Sequence, residues 1–355
     1  MSKENYIRVS EQALRSFCIS VLTKVGVSMK HADVWTEVLI EASLRGVDSH
    51  GILVLPMYAA MLEAGGIRVD ARLEVVSDNG PTMLLDGGHG IGPVIADGAM
   101  NLALDRAQEF GLSFVTVRNS NHFGMAGFYA TKGLARNMIG VALTNAGPAI
   151  AAWGGKTKVI GSNAMAAALP AGKELPIVFD AAIGASAAAK IFLAAERGER
   201  IPTDWMIDRS GEPTDDPHEL FAGGVLLPFG KHKGYGLGLI IDSLTGILSG
   251  GLFSVSVGGF GRDMSQPLGI CHSFFALDIG RFIAVDQFKS RVDEMIGHVK
   301  SSEPVEGVDR IYLPGERGFL IHQDRKLNGI PLWAKLVADL KELGHRLSIQ
   351  PPIPA

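Results

Sequence analysis

The stretch GGHGIGP at residues 87–93 decides the fold, because closely spaced glycines are the sign by which a dinucleotide-binding Rossmann turn is recognised. The G-x-G-x-x-G fingerprint starts well at Gly88 and Gly90, but Pro93 stands where the third glycine has to let helix and strand pack closely. A second run, KGYGLGL at 233–239, offers Gly234, Gly236 and Gly238 and fails at the same place with Leu239. Neither run is followed ~20 positions on by an acidic residue at the end of a second strand, where a ribose would be held. An ordinary Rossmann domain is therefore rejected. No P-loop, nucleophile elbow or metalloprotease helix occurs either.

Outward from this run, LEVV (73–76) and TMLLD (82–86) read as short strands, and residues 94–110 as a helix closed by Gly111. SFVTV (113–117) is a buried strand. A helix follows at 127–136, then strand-like runs at 139–145, 163–170 and 177–182, an alanine-rich helix from Ser186, and a polar excursion from Arg197 to Pro217 as the most flexible segment. A glycine-rich turn and helix (228–248), another strand (272–282) and a helical tail from Arg291 complete the chain. Upstream, Ser10 caps a helix with Leu14, Phe17, Cys18, Val21, Leu22 and Val25 at helical spacing. Ser28 caps a second helix that ends at Gly46, and Pro56 opens a third that ends before Gly65. The expected class is α/β (mixed α+β), with a non-Rossmann, mixed-sheet domain over 73–290. A helical domain over 1–72, joined by the C-terminal helices of 291–355, packs beside it.

Composition narrows the function. With 47% hydrophobic residues among 355, a sizeable core is expected. The 33 Lys and Arg against 37 Asp and Glu supply no basic face, which argues against a nucleic-acid partner. No apolar run approaches the ~20 residues of a membrane span, and residues 1–12 lack the core of a signal peptide. The two cysteines, Cys18 and Cys271, read as buried thiols in a reducing cytoplasm.

Two polar corners carry the chemistry. In GVDSHGILVLP (46–56) Asp48, Ser49 and His50 are followed by an apolar run; in NSNHFGMAG (119–127) His122 follows two asparagines and a serine at a strand end. An imidazole held by a neighbouring hydroxyl or carboxylate keeps one tautomer and exchanges protons near neutrality. Taken alone, each histidine also fits a plain structural role. No metal is expected, because neither histidine has a partner at ligand spacing. Asp180, at a strand end before small residues and a helix, reads either as that helix's cap or as part of a ligand cradle. Lys231, His232 and Lys233 stand among glycines, where a lysine is either simply solvated or a clamp for an anion.

Together RGVDSHG, NSNHFG, TNAGPAIAAWGG, IGSNAMAAALP, PIVFDAA, KGYGLGL and PGERGF…NGIPLW occur in order along the chain. In this the sequence resembles the malate/L-lactate dehydrogenase family of the second type, which also holds ureidoglycolate, sulfolactate and diketogulonate oxidoreductases and a cyclic imino-acid reductase. The resemblance implies an NAD- or NADP-dependent enzyme acting on a small molecule, a homodimer with its cofactor cleft near the subunit interface. It implies that His50 is the proton donor and acceptor, with Ser49 as its hydroxyl neighbour, and that His122 is a second site histidine with the acid/base role in some members. It further implies cofactor contacts at Asp180, Ala181 and Ala182, at His232 and Lys233, at Gly315, Glu316 and Arg317, and a nicotinamide loop at Asn145 and Ala146.

One position departs from that pattern. Where the family usually reads S-H-G-x-x-R, Val54 replaces the arginine that grips the substrate carboxylate. Each charge-assisted bond lost in this way is worth ~1.5–3 kcal/mol. Arg45, Arg118 or Lys132 takes over, or the substrate differs from the usual one. The reaction expected is reversible hydride transfer between nicotinamide and a small 2-hydroxy acid, with His50 or His122 taking the hydroxyl proton behind a dry wall of Val54, Leu55, Phe123 and Met125. Ureidoglycolate oxidation and cyclic imine reduction are the alternatives within the class. Outside it stand a metal-dependent hydrolase using His50, His122 and Asp180, and a non-catalytic cofactor-binding protein.

Overall fold

The computed structural model describes residues 6–259 and 263–353; the first five residues of the N-terminal stretch lie outside them. The chain enters through β1 (Ile7–Val9) into α1 (Glu11–Lys24) and α2 (Met29–Leu44). Ser10 accepts from the Ala13 N–H and Ser28 from the His31 N–H, so each hydroxyl satisfies a donor that a helix start leaves open. Next come α3 (Leu55–Ala64), with Pro56 in its first turn, and the strands β2 (Glu74–Asn79) and β3 (Thr82–Asp86). Beyond them lie α4 (Gly92–Phe110), β4 (Leu112–Ser120), α5 (Ala126–Thr131) and β5 (Met138–Thr144). The middle of the chain holds β6 (Pro148–Ala151), β7 (Lys158–Gly161), β8 (Ala164–Leu169), β9 (Ile177–Ala182) and α6 (Ala188–Arg197). It continues through β10 (Met206–Ile207), β11 (Val225–Leu226), α7 (His232–Asp242) and β12 (Ile270–Asp278). The tail is α8 (Val285–Lys300), α9 (Glu316–Asn328), β13 (Ile330–Leu332) and α10 (Ala334–Leu347).

The main sheet has seven strands in the order β2-β3-β4-β12-β5-β8-β9. Its one parallel pair is β3 with β4, joined by α4 as crossover; every other neighbour is antiparallel. This explains the GGHGIGP run. The glycines serve the entry to α4, not a pyrophosphate: a Cβ on Gly92 would lie 2.3 Å from the His122 carbonyl oxygen and 2.5 Å from that of Asn121. Pro93 fits because the first turn of a helix has no use for its N–H. The mixed α/β class and the rejection of a Rossmann sheet both agree with this topology.

The three largest cores fill the space between layers. Phe17, Trp35, Leu39, Tyr58 and Leu340 join α1, α2, α3 and α10. Met100, Val115, Tyr129 and Phe274 pack α4 and α5 on the sheet. Ile150, Ile160, Ile191 and Ile241 lie under the small four-stranded sheet β10-β11-β6-β7. The strands of that small sheet were not anticipated. With two to four residues each they are too short to show a period. The helix expected over 127–136 is α5 followed by a 3-10 turn, Lys132–Arg136. Although α8 was grouped with the N-terminal helices, its Asp293 accepts from the Gly172, Lys173 and Glu174 N–H groups, so α8 lies against the β8–β9 connection.

Candidate active site

The first corner is built by α2 and α9. A 3-10 turn, Asp48–His50, leaves the end of α2, and the chain then folds back on it. A Cβ on Gly51 would meet Ser43 Oγ at 2.2 Å, so only glycine permits this approach. Ser43 Oγ accepts from the Ile52 N–H at 2.9 Å and donates to the Leu39 carbonyl. Asp48 is gripped at both oxygens by Arg325 of α9, at 2.5 and 3.1 Å, and the same guanidinium donates to the Ser43 carbonyl. With Arg325 12% and Asp48 36% exposed, the pair is partly sheltered and fixes the corner to two helices. On this anchored turn Ser49 Oγ lies 2.8 Å from His50 Nδ1.

The second corner grows from a bulge. β4 gains residues against β12 between Ile270 and His272, and Asn119 there takes φ +53°. The bulge re-aims the strand end. Asn121 then locks the turn, donating to the His89 and Gly90 carbonyls at 2.9 Å each and accepting from the Leu268 N–H. His122 projects between this anchor and buried Phe123. Its Nδ1 meets the Tyr58 hydroxyl of α3 and, at 3.4 Å, the Gly124 N–H.

The corners meet. The rings of His50 and His122 stack with centroids 5.3 Å apart and planes 25° apart. Burial pushes both imidazoles below their usual range, and for His122 the neighbouring His50 and His272 add to the effect. Both rings are therefore neutral at pH 7. Tautomers follow from the donors. A backbone N–H only donates, and burial raises the Tyr58 hydroxyl so that it keeps its proton. Nδ1 of His122 is thus an acceptor, and its proton sits on Nε2. His50 has a hydroxyl partner, which both gives and takes hydrogen bonds, so either of its nitrogens is able to hold the proton.

Asp180 lies on β9 and caps a helix, but not the one expected. Its Oδ2 accepts from the Gly127 N–H of α5 at 2.8 Å, while α6 has no side-chain cap. The carboxylate is thus tied to the helix that starts just after His122. Water reaches it from the open side, yet protein surrounds it elsewhere, and that desolvation lifts its carboxyl to about 6 despite the Gly127 bond and Arg45.

Around β9 the structure collects the other expected contacts. The Val178 N–H donates to the Pro314 carbonyl, placing Gly315 and Arg317 at one side. Ala185 N–H to Leu227 and Phe229 N–H to Ile183 place the start of α7, with exposed His232 and Lys233, at the other. Small Ala181 and Ala182, the N-terminus of α7 and the exposed Lys233 make a donor set that fits the pyrophosphate of a dinucleotide. Two expected contacts point elsewhere. Glu316 is 4% exposed and faces Arg310 and the Leu313 N–H, so its carboxylate braces the turn. The Asn145 amide is used up by Asp242, the Leu252 carbonyl and the Cys271 N–H. Arg317 stacks over Tyr312 at 4.6 Å, and the Ala146 N–H donates to Asn163.

None of the three cations expected to replace the missing arginine is unpaired. Arg45 binds Glu41, Arg118 binds Asp86, and Lys132 binds Asp97. Val54 is half-buried against the helical core. Leu55, Phe123 and Met125 are buried. Among the described residues no group of three or more His, Cys, Asp or Glu is arranged to hold a metal ion. Two open concavities, one at Arg68 to Gly88 and one at Lys300 to Ile311, are lined by neither His50 nor His122. Sequence reasoning missed Tyr58, hidden as an apolar position of α3, and Arg325, which lies too far along the chain from Asp48 for any local signal.

Comparison with known proteins agrees. The family described as malate/L-lactate dehydrogenase matches residues 9–341. A malate dehydrogenase of Pyrococcus abyssi is 38% identical over 98% of this chain and 97% of its own. A malate/(S)-sulfolactate dehydrogenase of Methanothermus fervidus is 36% identical over 96% of this chain and 98% of its own. The solved malate dehydrogenase of Pyrococcus horikoshii superposes with a TM-score of 0.90 at 37% identity, covering 98% of both chains. Further relatives carry NAD(+) or NADP(+) in their names. With a match along most of its length and relatives of this identity, the chain belongs to the malate/L-lactate dehydrogenase family, a family of NAD- or NADP-dependent dehydrogenases acting on CH–OH donors.

Proposed function

We propose that this dehydrogenase interconverts a small 2-hydroxy acid and its 2-oxo acid, with His50 as the group that moves the proton and His122 as the group that polarises the substrate oxygen. The observation that carries the reading is the stacked pair of neutral imidazoles, each with its own Nδ1 partner. In oxidation His50, with its proton on Nδ1 toward Ser49, takes the hydroxyl proton at Nε2. The imidazolium so formed donates to Ser49, and the anchored corner holds it in place. His122, kept as the Nε2–H form by Tyr58 and Gly124, donates a hydrogen bond to the same oxygen in both directions. Bound nicotinamide supplies the hydride acceptor or donor. Proton handling of this type contributes ~10²–10⁴-fold. Buried Leu55, Phe123 and Met125 keep water out, which strengthens each of these dipoles.

The dinucleotide binds along the end of β9, over Asp180, Ala181 and Ala182, with His232 and Lys233 at the start of α7 and Gly315 and Arg317 flanking it. Ala146 and the backbone at Asn145 line the nicotinamide end, and Glu316 braces the turn from behind. The enzyme works as a homodimer in the cytoplasm. Exposed Leu239, Ile240, Ile247, Leu248, Phe253 and Val255 form an apolar band in one segment, which supports the dimer. No helix among the described residues is long and apolar enough to cross a membrane. The division into a helical domain and a 73–290 domain is kept in this reading, with α8 moved to the second.

Val54 leaves the usual carboxylate grip unfilled, and a second reading within the class takes ureidoglycolate, itself a 2-hydroxy acid, or a cyclic imino acid as the substrate. A panel of malate, lactate, sulfolactate, ureidoglycolate and a cyclic imine, followed by absorbance of the reduced cofactor, separates them. Turnover of any hydroxy acid supports the main reading and names the substrate, and turnover confined to the imine replaces it. Cofactor binding with no turnover of any of them means a non-catalytic protein, and hydrolysis that stops with a chelator means a hydrolase.

A further inference from the structure

His272 lies in the middle of the sheet, on β12, with no exposed surface. Its ring reaches both flanking strands. Nε2 is 2.9 Å from Ser120 Oγ at the end of β4, and Nδ1 is 2.9 Å from Thr144 Oγ1 at the end of β5. Those strand ends lead, within two residues, to His122 and to Asn145. The ring also lies flat under Phe123, with centroids 4.4 Å apart and planes 2° apart. A buried imidazole is the one side chain that offers a hydrogen-bonding atom at each end and an aromatic face between them.

Both hydroxyls are themselves tied to the backbone: Thr144 Oγ1 lies 2.9 Å from the Asn145 carbonyl and 3.5 Å from that of Cys271, and Ser120 Oγ lies 3.5 Å from the Asn121 carbonyl. Each ring nitrogen thus has a hydroxyl partner, and a buried polar network whose members are paired specifies a geometry. The bulge in β4 at Asn119 makes such a pin necessary, because ladder pairing is interrupted just before the catalytic corner.

We propose that His272 is a positioning residue for the reaction, a two-ended pin that holds the strand ends carrying His122 and Asn145 in register across the central strand. The proposal rests on the placing of His122 in the active site. It acts through geometry alone and moves no proton.

The test uses full-length enzyme with added reduced cofactor and three variants: His272→Phe, which keeps the stack on Phe123 and loses both bonds, and Ser120→Ala and Thr144→Val, which each lose one. The readouts are ring-nitrogen resonances of isotope-labelled histidine, cofactor affinity by fluorescence, and kcat against KM on whichever acid of the panel is turned over. The expectation is displaced His122 resonances in His272→Phe and Ser120→Ala, and kcat lower by about ten- to a hundredfold with KM little changed, the scale on which small misplacements act. Thr144→Val should weaken cofactor binding more than it lowers kcat. Folded variants whose His122 resonances and kcat match the parent would overturn the proposal, even if their melting temperatures fell. If His272→Phe does not fold, the two hydroxyl deletions decide alone. If the parent turns over no acid, the functional reading fails, while the resonances still decide whether His272 positions His122.

Discussion

Replacing Tyr58 by phenylalanine takes one oxygen out of the site and leaves its shape. The ring keeps its contact with Trp35, at 4.9 Å between centroids, and its place in the helical core. What is lost is the donor to His122 Nδ1, which then retains the Gly124 N–H at 3.4 Å. An acceptor left short of a partner in a buried site costs ~1–3 kcal/mol. The cost falls on the Nε2–H tautomer, the form that polarises the substrate oxygen. The other tautomer, with a lone pair turned to the substrate, gains population at its expense. At ~1.4 kcal/mol per decade, kcat for reduction of the 2-oxo acid should fall by about 5- to 150-fold. Cofactor affinity and melting temperature should stay near the parent, because nothing at β9 or in the packing changes. Steady-state rates, fluorescence titration of the reduced cofactor and a thermal melt supply the three numbers. A kcat within twofold of the parent would show that His122 does not depend on Tyr58, and a fall in melting temperature matching the loss would mean simple destabilisation.

Three further outcomes follow from the geometry. Arg325→Met leaves Asp48 without its two-armed partner and should cost ~1.5–3 kcal/mol in a denaturant titration, with turnover falling as His50 loosens. Arg325→Lys should restore only part of either, since one ammonium does not span both oxygens. The oxidation rate should lose activity on the acid side only below pH 6.5, because burial holds His50 under its usual value and the neutral ring is the base; an acid limb above 6.5 in kcat/KM would contradict this. Asp180 binds its proton more tightly in the folded state, near 6, than in the unfolded chain, near 3.8. Its contribution to stability is therefore full below 3.8 and lost as the pH rises through 6. Asp180→Asn should melt higher than the parent above pH 6, with the gain vanishing toward 3.8, and an equal gain at both ends would refute the assignment.

Much of this was legible in the sequence, and the parts that were not share a cause. Ser10 and Ser28 announce their helices because capping is local chemistry between residues three apart. The strand before His122 and the glycines that let each corner fold close are also local. Pro93 and Leu239, each in the place of a third glycine, helped to refuse a Rossmann turn, and the sheet has one parallel pair where that fold needs several. By contrast, Arg325 on Asp48, Tyr58 on His122 and His272 between two strands are contacts across the fold. Residue type gives no warning of them: Tyr58 sits at an apolar position of α3, and His272 sits in a run that reads as plain strand. Asn145 and Glu316 show the opposite case: burial turns both side chains into the fold, a fact their motifs do not signal.

The central claim is that His50 and His122 act on one substrate oxygen, and a crystal structure of the ternary complex with reduced cofactor and an unreactive 2-oxo acid analogue tests it most directly. The oxo atom should lie within hydrogen-bonding distance of Nε2 on both rings, with the nicotinamide toward the end of β9. An analogue bound elsewhere, or an oxygen in reach of only one of the two imidazoles, would contradict it.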